Sequence, residues 1–91
     1  MDKIKTGALI AAARKEKNLT QRELAAALHV SDRAISKWER GAGFPDISLL
    51  EPLADALDLG VLDLLRGERG MEPEPEPTVR QALAFLARQA K

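Results

Sequence analysis

The chain has no cysteine and no tyrosine, a single histidine, one tryptophan and two phenylalanines. Without thiols there are no disulfides, thiolate metal sites or cysteine nucleophiles, and His29 alone cannot build a metal site without carboxylate help. No metal and no cofactor are therefore expected. Aromatic residues make up 3% of the chain, and leucine and alanine stand where a β protein would carry valine, isoleucine, threonine and tyrosine. An all-α fold follows. No apolar run approaches the roughly 18 residues that would cross a bilayer, and the start Met-Asp-Lys-Ile-Lys-Thr-Gly lacks the apolar stretch of a secretion signal. A membrane partner is not expected, and a cytoplasmic location is. No nucleophile stands beside a base, which speaks against an enzyme.

What is present is a chain of 91 residues, 45% hydrophobic and 31% charged, long enough for one small domain with a short appendage. A domain of this size buries only roughly 60% of the surface its unfolded chain exposes, too little for a capacious cleft. The formal net charge is zero, from 14 basic and 14 acidic side chains. That zero conceals an uneven distribution. Residues 1–43 carry nine Lys/Arg against five Asp/Glu, a net +4; residues 44–77 carry two against nine, a net −7; residues 78–91 add three positive charges. A basic first half and an acidic second half make a polarised molecule.

Apolar periodicity predicts short helices. The first spans about Ile4–Lys17, with Thr6, Ile10, Ala13 and Lys17 on one stripe and Arg14 beside it, and stops at Asn18, which suits a left-handed cap. Thr20 and Glu23 form a capping box that opens a second helix over about 21–28, with Leu24, Ala25 and Leu28 inward. A tight turn at His29-Val30 leads to Ser31, a cap for a third helix over about 32–39 whose Ala34, Ile35 and Trp38 face inward. Gly41-Ala42-Gly43-Phe44-Pro45 is a loop. A fourth helix starts near Ile47 or Ser48, with Ser48 and Glu51 as a second capping box and Leu49, Leu50, Leu53, Ala54 and Leu57 as its apolar face. After Gly60 a fifth, Val61 to about Arg66, contributes Leu62 and Leu65. The Glu-Pro repeat at 72–77 belongs to an extended acidic linker over 69–77. Thr78 caps a final amphipathic helix, 78–91, with Val79, Ala82, Leu83, Leu86 and Ala90 on one stripe.

Two short helices joined by a tight turn, the second with a polar outer face, make a helix-turn-helix over about residues 20–40. The stretch from Leu19 through Thr20-Gln21, Leu24-Ala25, Val30-Ser31, Ile35-Ser36 and Trp38-Glu39 to Gly41 resembles the Cro/Xre-type, phage-repressor-like transcriptional regulators. The likeness runs on through Pro45-Asp46-Ile47 and Leu64-Leu65-Arg66-Gly67, so it covers about residues 4–68. His29 and Gly60 depart from it, standing where relatives often have glycine and serine. The resemblance implies a five-helix lambda-repressor-like DNA-binding domain over residues 1–68, followed here by the Pro/Glu linker and an extra C-terminal helix.

It also implies roles for individual residues. Gln21, Ser31, Arg40 and the backbone near Gly43 match positions that contact DNA phosphates, and Gln21 also buttresses the recognition helix. Asp32, Arg33, Ser36 and Lys37 match positions facing the major groove. There Arg33 and Lys37 can donate to guanine, Ser36 can bond either way and Asp32 can accept from cytosine. Asp32 serves equally well as an acid favouring the helix dipole. Arg14 and Glu39 match a structural salt bridge, and Trp38 sits on the core face. Asp55, Asp58 and Asp63 suit a solvated face that keeps that side off DNA. The expected partners are double-stranded DNA and a second copy of the chain, paired through helices four and five or through the C-terminal helix. An antitoxin-like or adaptor module binding protein through the same fold is the alternative.

Overall fold

In the computed structural model, which describes residues 2–70, five helices follow one another: α1 Lys3–Glu16, α2 Gln21–Leu28, α3 Asp32–Glu39, α4 Ile47–Leu57 and α5 Val61–Arg66. There is no strand among the described residues. The expected linker beyond Gly70 and the helix 78–91 lie outside them.

Local chemistry explains most helix ends. At α1 the Asp2 carboxylate accepts the Ile4 and Lys5 amides, starting the helix at Lys3, one residue earlier than the apolar stripe suggested, and Asn18 is left-handed at φ 57°. The Thr20 hydroxyl accepts the Glu23 amide at 3.0 Å and the Glu23 carboxylate accepts the Thr20 amide at 2.9 Å, which closes the capping box of α2. His29 ends α2 in the left-handed region at φ 58°. Ser31 accepts the Ala34 amide at 3.2 Å and so starts α3.

The start of α4 differs from the expectation. Its cap is Asp46, which accepts the Ser48 amide at 3.1 Å and the Ser48 hydroxyl, so no Ser48–Glu51 box forms. A carboxylate two residues ahead competes better for the free amide than the Ser48 hydroxyl, which lies inside the helix. The Ser48 hydroxyl, then its amide, hold the Asp46 carboxyl below the usual carboxylate range. Asp46 thus favours folding above the ordinary carboxylate pKa, and that contribution fades as pH falls through its lowered value.

The core gathers one apolar face from every helix. Ile10, Leu24, Ile35, Leu53 and Leu64 are fully buried, with Ala13, Ala25, Leu28, Trp38, Ala54 and Leu57 around them. Burying a side chain of the leucine class contributes about 1.5–3 kcal/mol. In α5 the expected inward residues are wrong: Leu62 is 59% exposed and Leu65 37%, while Leu64 is at 0%. Six residues span too few turns for periodicity to choose a face. Lys17 is likewise not inward; it caps α1, exposed, and pairs with Asp58. Asp63 is not simply solvated either, because its two oxygens accept the Gly60 and Gly70 amides at 2.9 and 2.7 Å.

Two contacts of α1 set the position of α3 and α5. Thr6, buried, donates its hydroxyl to the Leu64 carbonyl at 2.8 Å and ties α5 to α1. Gly7 lies where α1 crosses the end of α3: a β-carbon there would stand 2.2 Å from the Trp38 carbonyl oxygen and 2.9 Å from that of Glu39. Both obstacles are backbone, which cannot step aside as a side-chain tip can. Alanine in place of an ordinary helical glycine gains about 0.5–1 kcal/mol. Gly7→Ala should instead cost about 2–3 kcal/mol through overpacking, seen as a lowered urea midpoint. An unchanged midpoint would mean that α1 and α3 do not approach this closely.

Candidate nucleic-acid interface

The third helix has an inner and an outer face. Ile35 and Trp38 are buried, Ala34 is half-buried, and Asp32, Arg33 and Lys37 are exposed with Ser36 half-buried between them. At about 100° per residue these four polar positions share one side of the helix. The side chain of Lys37 runs along the loop behind it. A β-carbon on Gly43 would stand 3.0 Å from Lys37 Cε, so a larger residue at 43 would displace this lysine. Arg40, the C-cap, turns back along α3, its Nε donating to both the carbonyl and the hydroxyl oxygen of Ser36 at 3.3 Å. Ser31 spends its oxygen on the Ala34 amide, and its hydroxyl proton remains available to a phosphate.

Behind this face lies a polar cluster centred on Glu39. Arg14 Nε donates to Glu39 Oε2 at 2.6 Å and Arg14 Nη2 donates to Oε1 at 3.0 Å, a two-pronged pair with side chains only 11% and 8% exposed. Gln21 Nε2 donates to the same Oε1 at 2.9 Å, and Arg14 Nη1 donates to the Leu19 carbonyl at 2.8 Å. One carboxylate thereby joins α1, the start of α2 and the end of α3. The hydrogen bond to Glu39 raises the Arg14 pKa, against an opposing effect of burial. Among the described residues no buried side-chain nitrogen or oxygen lacks a partner. Gln21, expected at a phosphate, thus has one amide proton committed to Glu39 and a second left over.

The cations divide into paired and unpaired. Lys5 pairs with Glu68 at 3.0 Å, Arg69 with Glu16 at 2.7 Å, and Lys17 with Asp58. These exposed pairs add little stability, but they cancel charge. No acid within ion-pair distance, among the described residues, holds Arg22, Arg33, Lys37 or Arg40, nor Lys3, Lys15 or Arg66. A concavity of about 380 Å³ between the end of α1 and the α4–α5 junction is lined by the paired Lys17, Asp58, Glu16 and Arg69 and by Asp63. Its charged groups are already engaged. Among the described residues no cluster of His, Asp and Glu could hold a metal ion, and no helix is long and apolar enough to cross a membrane.

Sequence reasoning did not single out Gly7, whose role rests on a helix crossing distant in sequence, or Lys3 and Phe44, whose ammonium and ring lie 5.9 Å apart. A Lys in a first turn and an aromatic in a Gly-rich loop carry no periodic signal.

Two polar-capped helices at a tight turn, the second presenting a cationic outer face and braced from behind, define a helix-turn-helix domain of the lambda-repressor-like type. The helix-turn-helix family profile matches residues 10–64, and the chain belongs to that family, of Cro/C1 type, whose members are DNA-binding transcriptional regulators and not enzymes. It is 46% identical over 55 residues to the HTH-type transcriptional activator BcrR of Enterococcus faecalis, an alignment covering 60% of this chain and 27% of that protein. Among solved structures it is similar to the clp gene regulator ClgR from C. glutamicum, at 34% identity and a TM-score of 0.63, over 74% of this chain and 87% of that one. The restriction-modification controller protein C.AhdI from Aeromonas hydrophila is similar at 28% identity and a TM-score of 0.64, over 69% and 96%.

The bracing makes a quantitative statement about stability. Removing one member of a largely buried ion pair leaves the other charge stranded, so Glu39→Ala should cost about 3 kcal/mol in urea unfolding. Replacing Arg14 and Glu39 together by methionine should cost clearly less than the two single changes added. Strict additivity would show that the pair is not coupled.

Proposed function

We propose that the chain is the DNA-reading domain of a sequence-specific transcriptional regulator, with α3 in the major groove. The observation that carries this reading is the outer face of α3, where Arg33 and Lys37 project beside Ser36 and Asp32 with no acid within ion-pair distance among the described residues, whereas Lys5, Lys17 and Arg69 are each paired with an acid. Arg33 and Lys37 donate to guanine O6 and N7, Ser36 serves either as donor or acceptor, and Asp32 accepts from cytosine N4. Gln21, Ser31, Arg40 and the amide of Gly43 hold the flanking phosphates and set the register. The start of α2 adds the positive end of its dipole toward the same strand. A protein-binding adaptor would have less use for cations that pair with no acid on this face.

A single domain of this size buries too little for tight operator binding, so two copies on half-sites about 34 Å apart complete the reading. Leu62 and Leu65 on α5 and Ile47 at the start of α4 are exposed apolar residues, which supports pairing through these helices. Residues 69–91 would then form the acidic linker and its following helix, the other candidate for pairing. A location in the cytoplasm, where DNA is reached directly, accompanies this role.

Selecting bound sequences from a random duplex pool supplies the operator for the test. Arg33→Ala or Lys37→Ala should then cost about 1–3 kcal/mol on the selected operator and much less on random duplex. Equal losses on both would reduce these side chains to phosphate contacts, and a wild-type affinity that ignores salt would contradict DNA binding altogether. Light scattering on Leu62→Asp/Leu65→Asp should show a monomer with weakened operator binding; an unchanged dimer would move the pairing surface elsewhere.

A further inference from the structure

We infer that Lys3, held beside the ring of Phe44, is an additional phosphate-contacting residue that extends the DNA-binding surface from α3 onto the first turn of α1. This rests on the DNA-binding reading above and reaches residues outside the helix-turn-helix. The loop after α3 continues its cationic end. Its Gly41 and Ala42 amides donate to the Trp38 and Lys37 carbonyls at 3.0 and 2.9 Å, and its Gly43 lies under the Lys37 side chain.

The same loop is fastened to the start of α1. Gly41, at φ +75°, sits so close to Ile4 that a β-carbon would stand 2.9 Å from Ile4 Cγ1. Three residues further on, the Phe44 ring, 38% exposed, lies 5.9 Å from Lys3 Nζ. That distance is within reach of a cation–π attraction. Lys37, Gly43, Phe44 and Lys3 thus form a continuous strip. Lys3 and Lys5, two residues apart, have opposite fates: Lys5 is paired with Glu68, whereas no acid among the described residues lies within ion-pair distance of Lys3. The neighbouring Asp2 carboxylate is turned to the Ile4 and Lys5 amides. An aromatic face holds an ammonium in place without neutralising it, which leaves the full charge for a phosphate.

The experiment compares wild type, Lys3→Gln, Lys3→Arg, Phe44→Leu and Lys3→Gln/Phe44→Leu on the selected operator and on a random duplex across a salt series. Thermal melting of each variant confirms that it is folded. Lys3→Gln should lose roughly fivefold in affinity on both duplexes alike, and its log–log salt slope should become shallower by about 0.9. Lys3→Arg should restore both. Phe44→Leu should show a smaller loss that disappears in the Lys3→Gln background, marking Phe44 as a positioning residue for Lys3. If Lys3→Gln keeps the wild-type affinity and slope while Arg33→Ala still weakens operator binding, the inference is wrong and the DNA-binding reading stands. If wild type binds neither duplex, that reading fails and takes the inference with it.

Discussion

Everything on the recognition surface depends on where α3 sits, and one carboxylate decides that. Glu39 lies at the end of α3 with both oxygens occupied: Arg14 from α1 holds it with two hydrogen bonds, and Gln21 from the start of α2 adds a third. A charge this far from water is tolerable only when paired and hydrogen-bonded, so the helices that supply the donors have little freedom to shift. Arg14 also reaches the Leu19 carbonyl, which anchors the turn entering α2. The close crossing at Gly7 and the bond from Thr6 to Leu64 carry the same constraint to the ends of α3 and α5. The outer face of α3 is therefore presented by a rigid support.

The second constraint is electrostatic. The chain is neutral overall, yet its ion pairs are not distributed evenly. Lys5, Lys17 and Arg69 are spent on Glu68, Asp58 and Glu16. Such pairs contribute little to stability; they cancel Lys5, Lys17 and Arg69, while Arg33, Lys37 and Arg40 on and beside α3 keep their charge. A neutral protein can in this way approach a polyanion with one orientation preferred.

Much of this was legible in the sequence, and the parts that were share a physical character. The box at Thr20–Glu23, the Ser31 cap and the inward Ile35 and Trp38 are determined within one or two helical turns, so residue spacing carries them. What failed depended on competition or distance. Asp46 takes the cap of α4 from Ser48; α5 is too short for periodicity to choose Leu64 over Leu62 and Leu65; Lys17 sits on an apolar stripe but finds Asp58 across the chain. Gly7 is needed because of a backbone 31 residues away in sequence, and a lone glycine in a helix carries no mark of that. The outer face of α3 was legible as a pattern of residue types. The resemblance already implied that Gln21 buttresses α3; its partner Glu39, and the folding of Arg40 onto Ser36, came only from the folded structure.

The central claim is that Glu39 orients α3 for reading bases without touching DNA. The direct measurement is the ratio of operator affinity to random-duplex affinity for Glu39→Gln at a temperature where circular dichroism shows the variant folded. The account predicts that the ratio falls several-fold while random-duplex affinity changes little, because phosphate contacts tolerate a shifted helix and base contacts do not. A folded variant with the wild-type ratio would contradict it.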